Sequence, residues 1–257
     1  MTPPDSLPLA VCNEISALGA TTAYVMGDTG AVSDGVTQEL SSSCGVTNVK
    51  REQGPTRFDT AAAAAEEVGG RSVYITEGSD PDPTRGWPDA VAVSGLASYQ
   101  QRPLLLTTTD SLPAGSIAAL RQLGATQATI VGGSDVVSDH VDAELRDMGI
   151  ATTRVSGPDR YSTSAAVATL AARSGMSAAQ PWLATGENWP DALSAGPAVA
   201  HAGGDLLLVG GNSLADSAAS QSWLSQQGTA ITSMTEVGGP DVLSPLDQVQ
   251  ALRIAGE

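Results

Sequence analysis

Short apolar runs alternate with longer segments of mixed polarity along most of the chain, most clearly in its last hundred or so residues. The run 206–209 is continuously apolar, as is typical of a strand buried on both faces. The pattern predicts strands at 151–155, 181–185, 206–209 and 231–237, and helices at 161–173, from Pro190, at 214–227 and at 245–252. Strands that alternate with helices indicate a mostly parallel sheet covered on both faces.

Two segments carry the same helix-start signal. Trp189-Pro-Asp-Ala repeats an earlier Trp87-Pro-Asp-Ala about 100 residues away. Proline is favoured at the first helical position, and a carboxylate in the first turn interacts well with the helix dipole. The sequence therefore predicts a helix that begins at each of these motifs.

Other motifs recur at nearly the same spacing. Gly54-Pro-Thr-Arg matches Gly157-Pro-Asp-Arg, and Asp5-Ser-Leu-Pro matches Asp110-Ser-Leu-Pro. A period slightly over 100 residues suits a small domain repeated in tandem. We therefore expect three parts: residues 1–52 as the second half of a first unit, 53–154 as a second unit and 155–257 as a third.

The polar loops that follow the predicted strands are the expected ligand-binding region. In open parallel sheets, ligands bind beyond the carboxyl ends of the strands. The candidate ligand-binding residues are Arg57, Arg160, Trp87, Trp189, Asp89, Asp191 and Asn188. Each type has a structural alternative: the arginines could bridge carboxylates or carbonyls, the aspartates could serve only the helix start, and the tryptophans could be partly buried anchors.

Charge narrows the range of partners. The chain has 257 residues and a net charge of −16, with Lys50 as its only lysine. Such a surface repels nucleic acid and anionic membranes. No apolar run approaches the roughly 20 residues of a membrane span, so we expect no membrane insertion. The first residues lack the features of a signal peptide, although a removed leader would leave no trace.

Catalytic and metal-binding patterns are missing from the sequence. His140 and His201 are not repeated between units, and the Gly-Gly turns lack a phosphate-binding signature. We therefore expect neither an enzyme nor a cofactor. The acidic loop 77–85 could collect a hard cation, but a proline-stiffened solvated turn is the simpler interpretation. Cys12 and Cys44 predict either a disulfide in an exported protein or two buried thiols.

These motifs resemble the cell wall-binding repeat 2 (CWB2) modules of Gram-positive surface proteins. The resemblance rests on GPDRYSTSAA, ATGENWPDALSAGPA, the Leu-Leu-Leu run and Val-Gly-Gly, and covers nearly the whole chain. It implies a non-catalytic, secreted module at the cell surface, with S-layer-like anchoring to an anionic cell-wall glycopolymer. It also implies the fold class: α/β, with tandem small Rossmann-like or Toprim-like modules packed as a pseudo-threefold assembly. The family's arginine falls on Arg57 and Arg160, and its Pro-Asp-Ala on 88–90 and 190–192.

This chain departs from the family pattern in three ways. Only two and a half copies are present, so we expect the missing half to be lost, processed or supplied by another chain through self-association. Phe58 replaces tyrosine in the second unit. The acidic surface requires local arginine pockets or bridging divalent cations for an anionic polymer to bind. High alanine and arginine with one lysine suggest an actinobacterial source.

Two other functions stay open at this stage. The Gly-Gly turns could serve a Rossmann-like protein or enzyme that binds a nucleotide or sugar phosphate. Alternatively, the repeats could form a purely structural scaffold that binds only other proteins.

Overall fold

The computed structural model describes residues 1–211 and 213–244, together with residues 251, 253, 254 and 256. The strands are β1 Thr22–Met26, β2 Asn48–Glu52, β3 Ser72–Ser79, β4 Leu104–Thr108, β5 Gln127–Val131, β6 Ala151–Val155, β7 Ser177–Thr185, β8 Gly204–Val209 and β9 Thr235–Val237. The helices are α1 Leu9–Ala17, α2 Asp34–Ser43, α3 Arg57–Val68, α4 Pro88–Tyr99, α5 Ala114–Gln122, α6 Asp139–Asp147, α7 Arg160–Arg173, α8 Pro190–Ala202 and α9 Ala218–Gln227. Within these residues, no helix is both long and apolar enough to cross a bilayer.

The strands form three sheets in which every described pairing is parallel. β1 pairs with β2, the second sheet has the order β4-β3-β5-β6, and the third has the order β8-β7-β9. Parallel neighbours need a crossover connection, and helices supply it here, as α4 does between β3 and β4 and α6 between β5 and β6. The loops after the strands of one sheet therefore meet at a single edge.

The helix starts follow the sequence signals. α4 and α8 begin at Pro88 and Pro190. Thr56 and Asp59 form a reciprocal capping box at α3, and the Asp159 side chain accepts from the Ser162 amide at α7. These caps fix the first residue of each helix, which is Arg57 in α3 and Arg160 in α7.

The second and third sheets share one hydrophobic core. It includes Tyr74 and Leu96 from the second sheet and its helices, and Val167, Val199 and Leu208 from the third. Because α4 packs against α7, α8 and β8 as well as its own strands, it is buried on nearly all sides. This burial explains why α4 is apolar around its whole circumference.

The contact between α4 and α8 depends on small residues. A side chain at Gly196 would clash with the Ser94 hydroxyl and lie 3.0 Å from Ser94 Cβ, and one at Gly95 would lie 3.0 Å from Val199 Cγ1. The two helix backbones therefore approach as closely as these glycines permit. Shared packing of this kind joins the second and third sheets into one body.

Most predicted elements are present, with shifted boundaries. β7 begins four residues earlier than expected, and the predicted helix 214–227 starts as a 3₁₀ turn, Leu214–Ser217, before α9. The expected strand 231–237 was too long, because only Thr235–Val237 pairs with β7. The expected helix 245–252 lies almost entirely outside the described residues. The threefold packing and the three-part division of the chain stay predictions.

A disulfide joins Cys12 in α1 to Cys44, the residue that directly follows α2. Both cysteines are buried beside a small apolar cluster that contains Val25, Leu40 and Val46. The bond closes a loop with a sequence separation of 32 residues. Because it lowers the conformational entropy of the unfolded chain, it stabilises the folded state by about 3–4 kcal/mol. Covalent closure therefore supplements a small apolar cluster.

Candidate functional site

A cleft of about 700 Å³ opens beyond the carboxyl ends of β3, β5 and β6, at the first turn of α7, where the chain passes from the second sheet to the third. Its wall combines loop backbone with charged side chains of both signs: Glu77, Arg85, Asp89, Asp135, Asp139, Arg154, Asp159 and Arg160. Because the strands of one sheet end at the same edge, residues far apart in sequence meet here. We call this region the inter-sheet cleft.

Arg160 projects into the inter-sheet cleft and links its two sides. Its Nη1 donates to the Gly186 carbonyl at 2.6 Å, and its Nη2 donates to the Thr84 carbonyl at 3.0 Å. Its guanidinium carbon also lies 5.4 Å from the centre of the Trp87 ring. Arg160 is thereby held rigid, with one face of the guanidinium against an aromatic ring.

Arg154 provides a second fixed positive charge. Its Nη1 donates to the carbonyls of Gly132 and Val137, both at 2.8 Å, and Nη2 lies 3.6 Å from an Asp139 oxygen. Among the described residues, Nη2 has no hydrogen-bond partner. The guanidinium is therefore anchored through Nη1, while Nη2 faces Asp139 without forming a hydrogen bond.

The same arrangement occurs in the first part of the chain. Arg51 donates to the Gly27 carbonyl at 2.8 Å and pairs with Asp34 at 3.2 Å, as Arg154 does with Gly132 and Asp139. Sequence reasoning did not include Arg154 among the candidates. Its recurrence about 100 residues after Arg51, inside a strand, was the signal that could have identified it.

Arg85 comes from the acidic loop 77–85. Its Nε lies 3.4 Å from Asp80 Oδ2, and its Nη2 donates to the Asp135 carbonyl at 3.2 Å. Asp80 and Asp82 accept hydrogen bonds from loop amides, those of Asp82 and Thr84 respectively. The described residues contain no group of three side chains arranged to hold a metal ion. The aspartates therefore fix the conformation of the loop and orient the Arg85 side chain.

Asp89 occupies the first turn of α4 and is 8% exposed. Its carboxylate lies against Gly132, where an added Cβ would be 2.6 Å from Oδ2 and where φ is +121°. Burial raises the pKa of Asp89 to about 6, with a further contribution from Glu77 that Arg160 opposes. Asp191 contacts Gly238 in the same manner, with 3.0 Å from its Oδ2 to an added Cβ.

These aspartate contacts bear on the phosphate-binding alternative. A carboxylate fills the space beside Gly132 and Gly238, the first residues of the Gly-Gly turns at 132–133 and 238–239, so a phosphate placed there would meet a negative group. The glycines permit a positive φ and this close approach. The geometry therefore does not favour a nucleotide at these turns.

The remaining predicted residues lie away from the inter-sheet cleft. Arg57 donates to the Gly78 carbonyl at 3.0 Å, as Arg160 does to Gly186. Trp189 is 44% exposed, and its amide donates to the Asn188 side chain. Of the seven predicted ligand-binding residues, the structure brings Arg160 and Asp89 to the cleft wall and places Trp87 behind Arg160.

Comparisons with known proteins give a consistent family. The family model described as Cell wall binding domain 2 (CWB2) matches residues 51–142 and 154–247. N-acetylmuramoyl-L-alanine amidase LytC of Bacillus subtilis (strain 168) is 26% identical over 194 residues, which are 76% of this chain and 36% of LytC.

Solved structures with the same fold come from Clostridium difficile. Cwp6 superposes with a TM-score of 0.82 at 25% identity, over 96% of this chain and 38% of Cwp6. Cwp8 superposes with a TM-score of 0.78 at 24% identity, over 98% of this chain and 42% of Cwp8. The expected α/β fold with parallel sheets is confirmed. This chain spans about two fifths of the length of each of these relatives.

Proposed function

The chain belongs to the family of cell wall binding domain 2, and from this premise we propose that the inter-sheet cleft is where it holds its wall polymer. As a member of that family it is a cell-wall-binding module. The amidase activity in the name of LytC belongs to that protein.

The observation that carries the proposal is the convergence of three arginines in a chain of net charge −16. Arg85 comes from a loop, Arg154 from β6 and Arg160 from the start of α7, and each is anchored to a backbone carbonyl. Anchored guanidinium groups lose little conformational entropy when they bind, and their donors fit phosphate or carboxylate groups. The proposed ligand is therefore an anionic glycopolymer.

The architecture of the cleft suits an extended polymer. The cleft is partly open to solvent and is lined by residues of two successive repeats, so a segment of a longer polymer can enter it. Trp87 supports Arg160 from behind. We assign Trp87 a positioning role, and we assign the contacts with the polymer to Arg154, Arg160 and loop amides of the cleft wall.

We further propose that the module is secreted and wall-associated, and that it anchors whatever is joined to it. The disulfide between Cys12 and Cys44 supports this, since such bonds persist in oxidising compartments. The repeat boundaries 1–52, 53–154 and 155–257 belong to the same proposal, and in that division the cleft lies between the second and third units.

Sedimentation with purified Gram-positive cell walls tests the proposal. The protein should pellet with native walls and stay in the supernatant with walls whose secondary polymers have been stripped by acid. Equal pelleting with both preparations would assign binding to peptidoglycan, and pelleting with neither would remove the proposed function.

A further inference from the structure

Two buried carboxyl groups line the inter-sheet cleft beneath its arginines. Glu77, at the end of β3, is 1% exposed. Its Oε1 accepts from the Thr109 hydroxyl at 2.5 Å, whereas its Oε2 is buried without a hydrogen-bond partner among the described residues. Asp89 lies near enough for the two groups to repel each other. Both residues contribute to the cleft wall.

An unsatisfied buried carboxylate oxygen is costly, and in native proteins it calls for a partner. Burial raises the pKa of Glu77. The hydrogen bond from Thr109 is the largest effect that lowers this pKa, and Arg85 and the Gly86 amide lower it by less. Burial raises the pKa of Asp89 as well. The cleft wall therefore holds one buried carboxylate oxygen without a hydrogen-bond partner among the described residues, that of Glu77, and a second buried carboxyl group, that of Asp89, close to it.

The unit that follows does not share this pair. Glu77 pairs with Thr107 in the register of β3 and β4, and Thr185 pairs with Val209 in the matching register of β7 and β8. Thr185 thus occupies the position of Glu77, and it is equally buried. Because a threonine is accommodated at this buried position in the next repeat, the fold itself does not require a glutamate here.

We propose that Glu77 and Asp89 receive a primary ammonium group of the polymer, so that the ligand unit is a zwitterionic amino sugar whose anionic group meets the arginines. This rests on the proposed function and names its ligand class. An ammonium offers three donors and a positive charge, enough to satisfy both carboxyls at once. A hydroxyl would supply one donor and no charge.

The alternatives fit less well. A ligand whose only charged groups are anionic would be repelled by Glu77 and Asp89, even though the arginines of the cleft would attract it. A metal ion would need more ligands than the described residues bring together, since no group of three is arranged for one. A zwitterionic unit also resolves the conflict between the acidic chain and an anionic polymer, because each sign of charge on the ligand meets its opposite.

The test uses two soluble probes that differ only at the nitrogen: glucosamine 6-phosphate and N-acetylglucosamine 6-phosphate. Binding is followed by amide chemical shifts of Gly86 and Gly133, which line the cleft. We expect the amino form to bind and the acetylated form to bind about tenfold more weakly or worse. The variants are Glu77→Thr, taken from the matching position, and Asp89→Asn, with Asp191→Asn as the control outside the cleft.

Glu77→Thr and Asp89→Asn should each abolish the preference for the amino form, and Asp191→Asn should keep it. Thermal unfolding curves verify that all three variants are folded. Equal affinity for the two sugars, binding of neither, or a preference retained in Glu77→Thr would overturn the proposal. Walls treated with acetic anhydride separate the two claims. If pelleting survives N-acetylation, the ammonium is excluded while wall binding stands; if native walls already fail to pellet the protein, the proposed function has failed.

Discussion

The guanidinium carbon of Arg160 lies 5.4 Å from the ring centre of Trp87, and this pair joins the first turn of α7 to the residue that precedes α4. The two residues belong to different repeated motifs, Gly-Pro-Asp-Arg for Arg160 and Trp-Pro-Asp-Ala for Trp87, in two successive repeats. The tryptophan of one unit thus orients the arginine of the next. The cleft is consequently a property of two packed units, and neither would form it alone.

The tryptophan motif should have unequal importance in its two copies. Trp87 packs against the shared core and under Arg160, whereas Trp189 is 44% exposed. We expect Trp87→Leu to lower the free energy of unfolding by about 2–3 kcal/mol, through lost packing and a lost cation–π contact. Trp189→Leu, the matched control, should change it by less than about 0.5 kcal/mol. Urea unfolding measures both, and equal losses would show that the Arg160 contact adds nothing.

Close approach of α4 and α8 should make Gly196 intolerant of substitution. An alanine there would meet both Oγ and Cβ of Ser94, so rotation of the hydroxyl alone would not relieve the clash. We expect Gly196→Ala to destabilise the protein by about 1–3 kcal/mol. Gly35→Ala, in a helix where the nearest side-chain atom is 3.5 Å away, should be neutral or slightly stabilising. Thermal unfolding of the two variants compares them, and a neutral Gly196→Ala would contradict the packing described.

Asp205 should make the folded state more stable at mildly acidic pH. Asp205 is fully buried in β8, both of its carboxyl oxygens lack partners among the described residues, and burial raises its pKa to about 7. The folded state therefore binds this proton more tightly than the unfolded chain does. Its contribution to stability is fully present below the ordinary aspartate pKa and is lost as pH rises through about 7.

Asp205→Asn removes this titration while keeping the shape of the side chain. The variant should gain stability relative to the original protein by up to a few kcal/mol at pH 8, and much less at pH 5. Urea unfolding at the two pH values measures the difference. An unchanged pH dependence in the variant would show that Asp205 ionises freely in the folded protein.

Much of the fold could be predicted from sequence because its signals are local. Pro88 and Pro190 mark helix starts, and the apolar run 206–209 marks a buried strand; each requires only neighbouring residues to be interpreted. The strand expected at 231–237 was predicted too long, because its extent depends on pairing with the distant strand β7, which involves only residues 235–237. Local patterns set the type of an element, whereas its partners set its extent.

The site was harder to predict because it depends on contacts between units. Sequence placed Arg57 and Arg160 in equivalent loops, but only packing against the preceding repeat puts Arg160 in the cleft. Glu77 looked like part of a solvated loop, yet it lies within the buried strand β3, near its end. No pattern within one unit could have indicated which copy of a repeated residue would meet a neighbouring unit.

Wall binding by two arginine variants tests the central claim most directly. Arg57 and Arg160 begin equivalent helices and donate to equivalent carbonyls, but only Arg160 lines the inter-sheet cleft. The measurement is the dissociation constant for native Gram-positive walls, from sedimentation, of Arg160→Ala and Arg57→Ala. We predict that Arg160→Ala weakens binding about tenfold or more while Arg57→Ala leaves it nearly unchanged. Equal effects of the two substitutions, or none from either, would contradict the assignment of the polymer to this cleft.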